Sequence, residues 1–409
     1  MIQLSNFPFK TLKTSPKVSD NKSTSLLLQA GFIRQTMAGV YEFLPLGYQV
    51  LKNIENIIRE EMDQAWYHEM LMSILTPRDV WEKTWRWDIE EYFKVPWAGD
   101  SEYRIAPTNE ENVTPILSEF IQSYKDLPAK VYHIQKKFRN EKRAKSGLLR
   151  WREFGMKDAY SFHGDITDFE NTYEEIKQVY VRIFDRLWIG EDTFIAAADG
   201  GAISDKNSHE FQTKLEIWED TIFKCQDCGT CLNDELVNEK LWFECIDCHS
   251  KNFETFKASE VWNIFHLGDK YTKSFWTSFS DQDNKEINRV EMGCYGIGTS
   301  RLMWVIGEYC MSDSWIAWPE SIAPADYYIL IMWEENIDSA LELTKKLEQD
   351  GKKVILDDRF GRKFGFWKKM WDFELFWVPN LIILSPKTLE KWWYELIKRG
   401  NREWEIVSL

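Results

Sequence analysis

Hydrophobic and polar positions follow several distinct rhythms along this chain. From Leu46 to Met62, apolar Val50, Leu51, Ile54, Ile57, Ile58 and Met62 recur at helical spacing with charges on the opposite face. That pattern predicts an amphipathic helix. A second such helix is predicted in ITDFENTYEEIKQVYVRIFDRL, directly after His163. Residues 1–40 are polar except for SLLLQAGFIRQ, which reads as a short opening helix. Two-residue alternation in KVYHIQKKF and GMKDAYSF predicts two strands, with Lys145-Ser146-Gly147 in the turn between them. After Pro324 the pattern changes. Strands YYILIM, KKVILDD and NLIILS alternate with helices at Ile337–Gln349 and Leu389–Arg399, as in a small α/β unit.

Charge concentrates on the predicted hairpin. Between Phe138 and His163 the chain carries seven Lys and Arg residues. Arg139 and Glu141, two apart on a strand, share one face. A guanidinium beside a carboxylate suits a nucleotide: one takes a phosphate oxygen, the other accepts from an exocyclic amine. Taken alone, R-x-E would describe a solvated hairpin with surface ion pairs. The whole chain has a net charge of −15, which excludes an indiscriminate nucleic-acid coat but leaves a local basic face open. No run of about 18 apolar residues predicts a membrane span. The N-terminus has no signal-peptide core, so a cytoplasmic location is expected.

Five of the seven cysteines fall between Cys225 and Cys248, spaced C-x2-C-x2-C and then C-x2-C. Paired C-x2-C segments in a reducing compartment read as metal ligands, here a zinc ribbon. Cys225, Cys228, Cys245 and Cys248 are the expected ligands, with Cys231 spare or a substitute. Four thiolates would close the tetrahedron, so the Zn2+ would be structural.

Three ordered segments resemble the class II aminoacyl-tRNA synthetases over nearly the whole chain. LLR-x-REF-x-MKDAYSFH resembles motif 2 in its prolyl-tRNA synthetase form. EMGCYGIGTSR resembles motif 3. The Leu46–Met62 helix with the following Met72–Pro77 resembles motif 1, the dimer element. The resemblance implies an α+β fold: an antiparallel catalytic sheet flanked by helices, a small zinc ribbon, and a C-terminal α/β anticodon-binding domain. The expected domains are 1–220 with motifs 1 and 2, 221–256 for the ribbon, 257–322 completing the catalytic domain, and 325–409 for anticodon binding.

The resemblance also implies roles. Arg139 and Arg301 would be catalytic, with Arg139 bridging the substrate carboxylate and the α-phosphate. Glu141 would read the adenine amine, Phe154 would stack on the base, and Arg150 would hold the outer phosphates. Glu260, Gly298 and Arg301 would complete the ATP site, with Mg2+ on the phosphates. Thr108 and Glu110 match the family's T-x-E loop for the amino acid's ammonium group; by themselves they read equally as a helix cap followed by first-turn acids. Phe211, in a loop where Ser204-Asp205 replaces the family's glycine pair, would line the proline pocket. Arg359, Arg362, Lys363, Lys398 and Arg399 would contact tRNA, and a solvated basic face explains any one of them about as well. The implied reaction is ATP-dependent activation of L-proline and transfer to tRNA(Pro) by a homodimer. The span between motifs 2 and 3 is too short for the long alanine-editing insertion. The rival readings are threonyl-tRNA synthetase, a non-catalytic synthetase-like RNA-binding protein, and a zinc-ribbon nucleic-acid module. Retention of Arg139, Arg150 and Arg301 favours an enzyme, and the absence of cysteine from motif 2 favours proline.

One count is abnormal. Tryptophan occurs 21 times in 409 residues while glycine, at 20, falls below its usual share of about 7%. Many tryptophans, including Trp262, Trp315, Trp377, Trp392 and Trp393, stand where the synthetases carry glycine. Only Trp81, Trp87 and Trp318 resemble family tryptophans. The expectation is that the gene uses UGA for glycine and that UGA has been read here as tryptophan.

Overall fold

The computed structural model describes residues 1–409 except 15, 17–20, 97–100, 142–150, 202, 207, 218–219, 238–243, 391–392, 400–403 and 409. The chain forms two compact units. One comprises residues 38–40 and 55–305; the other comprises 1–37, 41–54 and 306–409.

The first unit is built on a nine-stranded sheet. In spatial order its strands are Ser208–Lys214, Thr193–Ala198, Cys231–Asn233, Asp220–Cys225, Phe253–Gly268, Glu291–Ile297, Glu153–His163, Ala129–Phe138 and His68–Glu69. Neighbours are antiparallel except for two short parallel pairings, His68–Glu69 with Ala129–Phe138 and Thr193–Ala198 with Cys231–Asn233. The expected hairpin is present: Ala129–Phe138 pairs with Glu153–His163 over ten residues, His133 opposite Asp158. Its expected turn lies outside the described residues. From Lys157 to His163 every position is buried, because the strand is covered on both faces. Helix Ile166–Arg186, capped by the Asp165 side chain, buries its stripe Phe169, Tyr173, Ile176, Tyr180, Ile183 and Phe184. Tyr180 and Phe184 meet Phe211 and Trp262 of the sheet, with centroids 4.0–5.6 Å apart. The opposite sheet face packs in part against helix Glu110–Phe120, through Val113 and Leu117, and otherwise opens on the functional cavity.

In the second unit, Tyr327–Ile331, Val354–Asp357 and Asn380–Leu384 pair in parallel and helix Ile337–Gln349 packs on them, as the alternation predicted. The N-terminal Ile2–Gln3 adds a strand at the Val354–Asp357 edge, which joins the start of the chain to this unit rather than to the expected 1–220 segment. The helix expected over Leu389–Arg399 is instead mostly strand. Trp393–Lys398 runs antiparallel to Asn380–Leu384 and to Trp404–Ser408, with only a short helical turn, Pro386–Leu389, before it. As a strand the segment turns Tyr394 and Leu396 to one face and packs both into the core, and two waiting backbone edges outweigh the local helical propensity.

The backbone bears directly on the tryptophan anomaly. Among the described residues, seven non-glycines have positive φ, and five are tryptophans: Trp66, Trp85, Trp188, Trp276 and Trp377, with φ between 53° and 64°. For a bulky side chain this region is an outlier, costing about 1–2 kcal/mol per residue.

Candidate active site

A cavity of about 380 Å³ opens on the sheet, and Thr108, Arg139, Glu141, Phe154, Glu260, Gly298 and Arg301 all line it. These seven are sequence-predicted ligands brought in from five separate segments. Arg139 and Glu141 sit just past the end of their strand rather than on it. Arg139 N–H donates to Arg152 C=O at 3.0 Å, and Glu141 N–H donates back to Arg139 C=O at 2.8 Å, a turn that aims both side chains inward. Arg152 Nε pins the same turn by donating to Glu141 C=O at 3.2 Å. The Arg139 guanidinium lies 5.2 Å from the Phe154 ring centroid. Gly155, next along, lets the strand approach motif 3. Its N–H donates to Ser300 Oγ at 3.0 Å, and a Cβ would sit 2.5 Å from Thr299 Oγ1. Arg301, at the start of helix Thr299–Tyr309, donates to Glu260 Oε2 at 3.0 Å.

The Thr108–Glu110 loop is held from behind. Thr108 Oγ1 donates to the Glu110 carboxylate at 2.7–2.8 Å rather than capping the helix. Asn109 takes the cap position and makes no side-chain cap bond. Glu110 itself is fully buried and does not line the cavity. Its oxygens also accept from Arg86 Nη1 at 3.2 Å and from the Cys294 thiol at 3.1 Å. Burial pushes the Cys294 thiol well up, so it stays a neutral donor.

A carboxylate without an assigned role stands opposite. Glu210 accepts from Gln212 at 2.8 Å, Asn233 at 2.7 Å and Asn263 at 3.1 Å. Burial, and then the nearby charge of Glu260, push its carboxyl up to about 8. It lies in the SHEF segment, Ser208–Phe211, where the sequence points to Phe211 instead, because Asn233 and Asn263 reach Glu210 only through sheet pairing.

The tRNA synthetase class II core domain model (G, H, P, S and T) matches residues 93–309. Along its whole length the chain is 35% identical to the proline–tRNA ligase of Ehrlichia ruminantium (strain Gardel), covering 97% of that protein. The chain belongs to the proline–tRNA ligase family of class II synthetases. It is 31% identical to the proline–tRNA ligase of Sulfurihydrogenibium sp. (strain YO3AOP1), over 99% of this chain and 97% of that one. That alignment spans 559 positions against 409 residues here, so at least 150 have no counterpart in this chain. The fold matches the crystal structure of prolyl-tRNA synthetase from Cryptosporidium parvum complexed with halofuginone and AMPPNP. The TM-score is 0.74 at 16% identity, over 96% of this chain and 76% of that one.

Other expected residues of this synthetase fall differently. Arg150 lies outside the described residues. Phe211 points away from the cavity: strand alternation turns Glu210 inward and puts the Phe211 ring among Tyr180, Phe184 and Trp262. Arg359 is committed to internal carboxylates, 2.6 Å from Asp357 and 2.8 Å from Asp372. Arg399 donates to Val378 C=O and Phe373 C=O at 3.1 Å and pairs with Glu374. Lys398 faces Glu405 at 3.2 Å. Arg362 and Lys363 are exposed. The Sγ atoms of Cys225, Cys228, Cys245 and Cys248 lie within 4.8 Å of one another. Cys231 is not among them; its thiol, pushed up to about 11 by burial, points to Gly229 C=O.

Proposed function

We propose that this chain ligates L-proline to tRNA(Pro) in two steps, through prolyl-adenylate. The convergence of Arg139, Glu141, Phe154, Glu260 and Arg301 on one cavity, with Thr108 at its end, carries the reading. The proline carboxylate attacks the α-phosphorus of ATP, forming a new O–P bond while pyrophosphate leaves with the electrons of the broken one. Arg139 compensates the charge that builds on the attacking oxygen and the phosphate, in a site already organised for it. Arg301, held by Glu260, faces the outer phosphates; Phe154 and Glu141 hold adenine. Thr108 offers its hydroxyl oxygen to the proline ammonium, and the Glu110 carboxylate behind it supplies the opposing charge. The terminal ribose hydroxyl then attacks the activated carbonyl and AMP leaves.

Two carboxyl groups meeting in one cavity, Glu210 and Glu260, offer hard-oxygen donors to a magnesium ion, whose charge would displace the proton that burial and Glu260 otherwise keep on Glu210. Magnesium bound there would neutralise phosphate charge. The four-cysteine group fits zinc: Sγ separations of 3.4 and 3.5 Å approach the edge of a tetrahedron with Zn–S bonds of about 2.3 Å. Each C-x2-C turn is closed alike, by Gly229 N–H to Cys225 C=O and His249 N–H to Cys245 C=O. With four thiolates the ion would be structural. The unit carrying residues 306–409 would bind the anticodon stem through Arg362 and Lys363, and the motif 1 helix, Pro45–Gln64, would contribute to a homodimer. The short span between motifs 2 and 3 supports the absence of editing in this chain.

Amino-acid-dependent ATP–pyrophosphate exchange tests the reading with proline and threonine side by side. Exchange with proline alone is expected; exchange with threonine, or none in a folded protein, would overturn it.

A further inference from the structure

Behind the Thr108–Glu110 loop lies a buried charged cluster that the mechanism above does not use. Lys137, fully buried, donates to Asn109 Oδ1. It also lies 3.1 Å from Asp158 Oδ2 and 2.8 Å from His133 Nε2. Tyr160 Oη donates to the same Asp158 oxygen at 2.8 Å and accepts from Asn109 N–H at 2.9 Å. Asn109, between the two predicted ammonium ligands, is thus clamped by its side chain and its backbone. An ammonium buried against one carboxylate is costly unless its geometry is used. Resting on the proline-activating reading, we propose that Lys137 and Tyr160 are positioning residues that set the amino-acid site without touching substrate. Lys137→Met and Tyr160→Phe should raise the KM for proline in pyrophosphate exchange by about tenfold or more. The KM for ATP should stay within about twofold, since Arg139 and Arg301 are anchored elsewhere. Equal rises in both KM values, or a loss of thermal stability with neither KM changed, would overturn the proposal. Failure of the unsubstituted protein to exchange with proline would instead overturn the functional reading.

The positive-φ tryptophans carry a second inference, independent of the first. Trp66, Trp85, Trp188 and Trp276 all follow the end of a helix and close it with the same pair of hydrogen bonds. The tryptophan N–H reaches back three residues, to Asp63, Glu82, Asp185 and Lys273 at 3.0–3.2 Å. The next N–H reaches back five, from Tyr67 to Met62, Arg86 to Trp81, Ile189 to Phe184 and Thr277 to Thr272, at 2.9–3.2 Å. This paired closure needs a left-handed residue and takes glycine by preference. The chain supplies its own reference, because Gly31 and Gly351 make the same two bonds at φ 76°. Trp377 makes the simpler single-bond closure to Phe373 C=O at 3.1 Å. The rings bring little in return, being 78%, 92%, 60% and 78% exposed at Trp66, Trp85, Trp188 and Trp276.

We infer that the native polypeptide carries glycine at Trp66, Trp85, Trp188, Trp276 and Trp377, encoded by UGA and read by a glycine-charged tRNA. Trp81, fully buried within its helix, is a tryptophan in the ordinary sense. Peptide mass spectrometry on the protein purified from its native cells, together with the codons of its gene, tests this. Expected are UGA codons and glycine-bearing peptides at the five positions, with UGG and tryptophan at Trp81, Trp87 and Trp318. UGG codons at the five positions, or tryptophan in their peptides, would overturn it.

Discussion

Replacing the four exposed left-handed tryptophans by glycine should stabilise the unit that carries the active site. All four, Trp66, Trp85, Trp188 and Trp276, fall within residues 55–305. Relief of the left-handed strain is worth about 1–2 kcal/mol per site. Glycine's extra freedom in the unfolded chain returns roughly 0.5–1 kcal/mol of that. Little apolar burial is lost, because the rings are 60–92% exposed. The net gain is about 0.5–1 kcal/mol per site, so roughly 2–4 kcal/mol if the sites act independently. For a unit of this size that is a Tm rise on the order of 5–15 °C. Thermal unfolding followed by far-UV circular dichroism measures it. The decisive comparison is glycine against alanine at the same four positions. Alanine removes the indole but keeps the left-handed strain, so the glycine variant should be more stable by about 1 kcal/mol per site. Equal stability of the two variants would refute the strain argument, whatever either does relative to the parent.

Three further expectations can be checked separately. Zinc content by atomic absorption should be one ion per chain and fall to background in Cys228→Ser/Cys245→Ser, whereas Cys231→Ser should retain it. For Glu210 in metal-free protein, the folded carboxyl holds its proton to about 8 while the unfolded one releases it near the ordinary value of 4.5; stability should therefore fall as pH rises between them. Glu210→Gln should remove that fall, a difference of about 2–4 kcal/mol in urea unfolding at pH 9 that vanishes near pH 4. Finally, Arg362→Ala/Lys363→Ala should weaken tRNA binding and flatten its salt dependence, leaving the unfolding midpoint unchanged. Arg359→Ala should do the reverse, costing about 1–3 kcal/mol by removing the cation that Asp357 and Asp372 share and leaving them to Lys369 and Lys368.

Much of the molecule was legible in its pattern. Helices Pro45–Gln64, Ile166–Arg186 and Ile337–Gln349 each announce themselves by a long apolar stripe, and the Ala129–Phe138 strand by its alternation. These signals are local, written in the period with which side chains meet a single face. Seven cavity residues were also legible, because short motifs fix them within a few positions of a turn. The four cysteines were legible because two identical turns present them.

What tertiary structure alone decided is long-range and depends on which strand finds which. The Leu389–Arg399 segment became strand because two backbone edges awaited it. Phe211 lost its place in the pocket to Glu210 because pairing register, not composition, sets which face turns inward. Arg359 and Arg399 look the same as Arg362 in sequence, yet buried carboxylates and carbonyls claim the first two. Lys137, Asp158 and Tyr160 gain a role only by lying beneath Asn109 from a separate segment. Tryptophan in place of glycine could be suspected from composition and resemblance, but the sign of φ is a property of the folded backbone, and it is the φ values that single out these five.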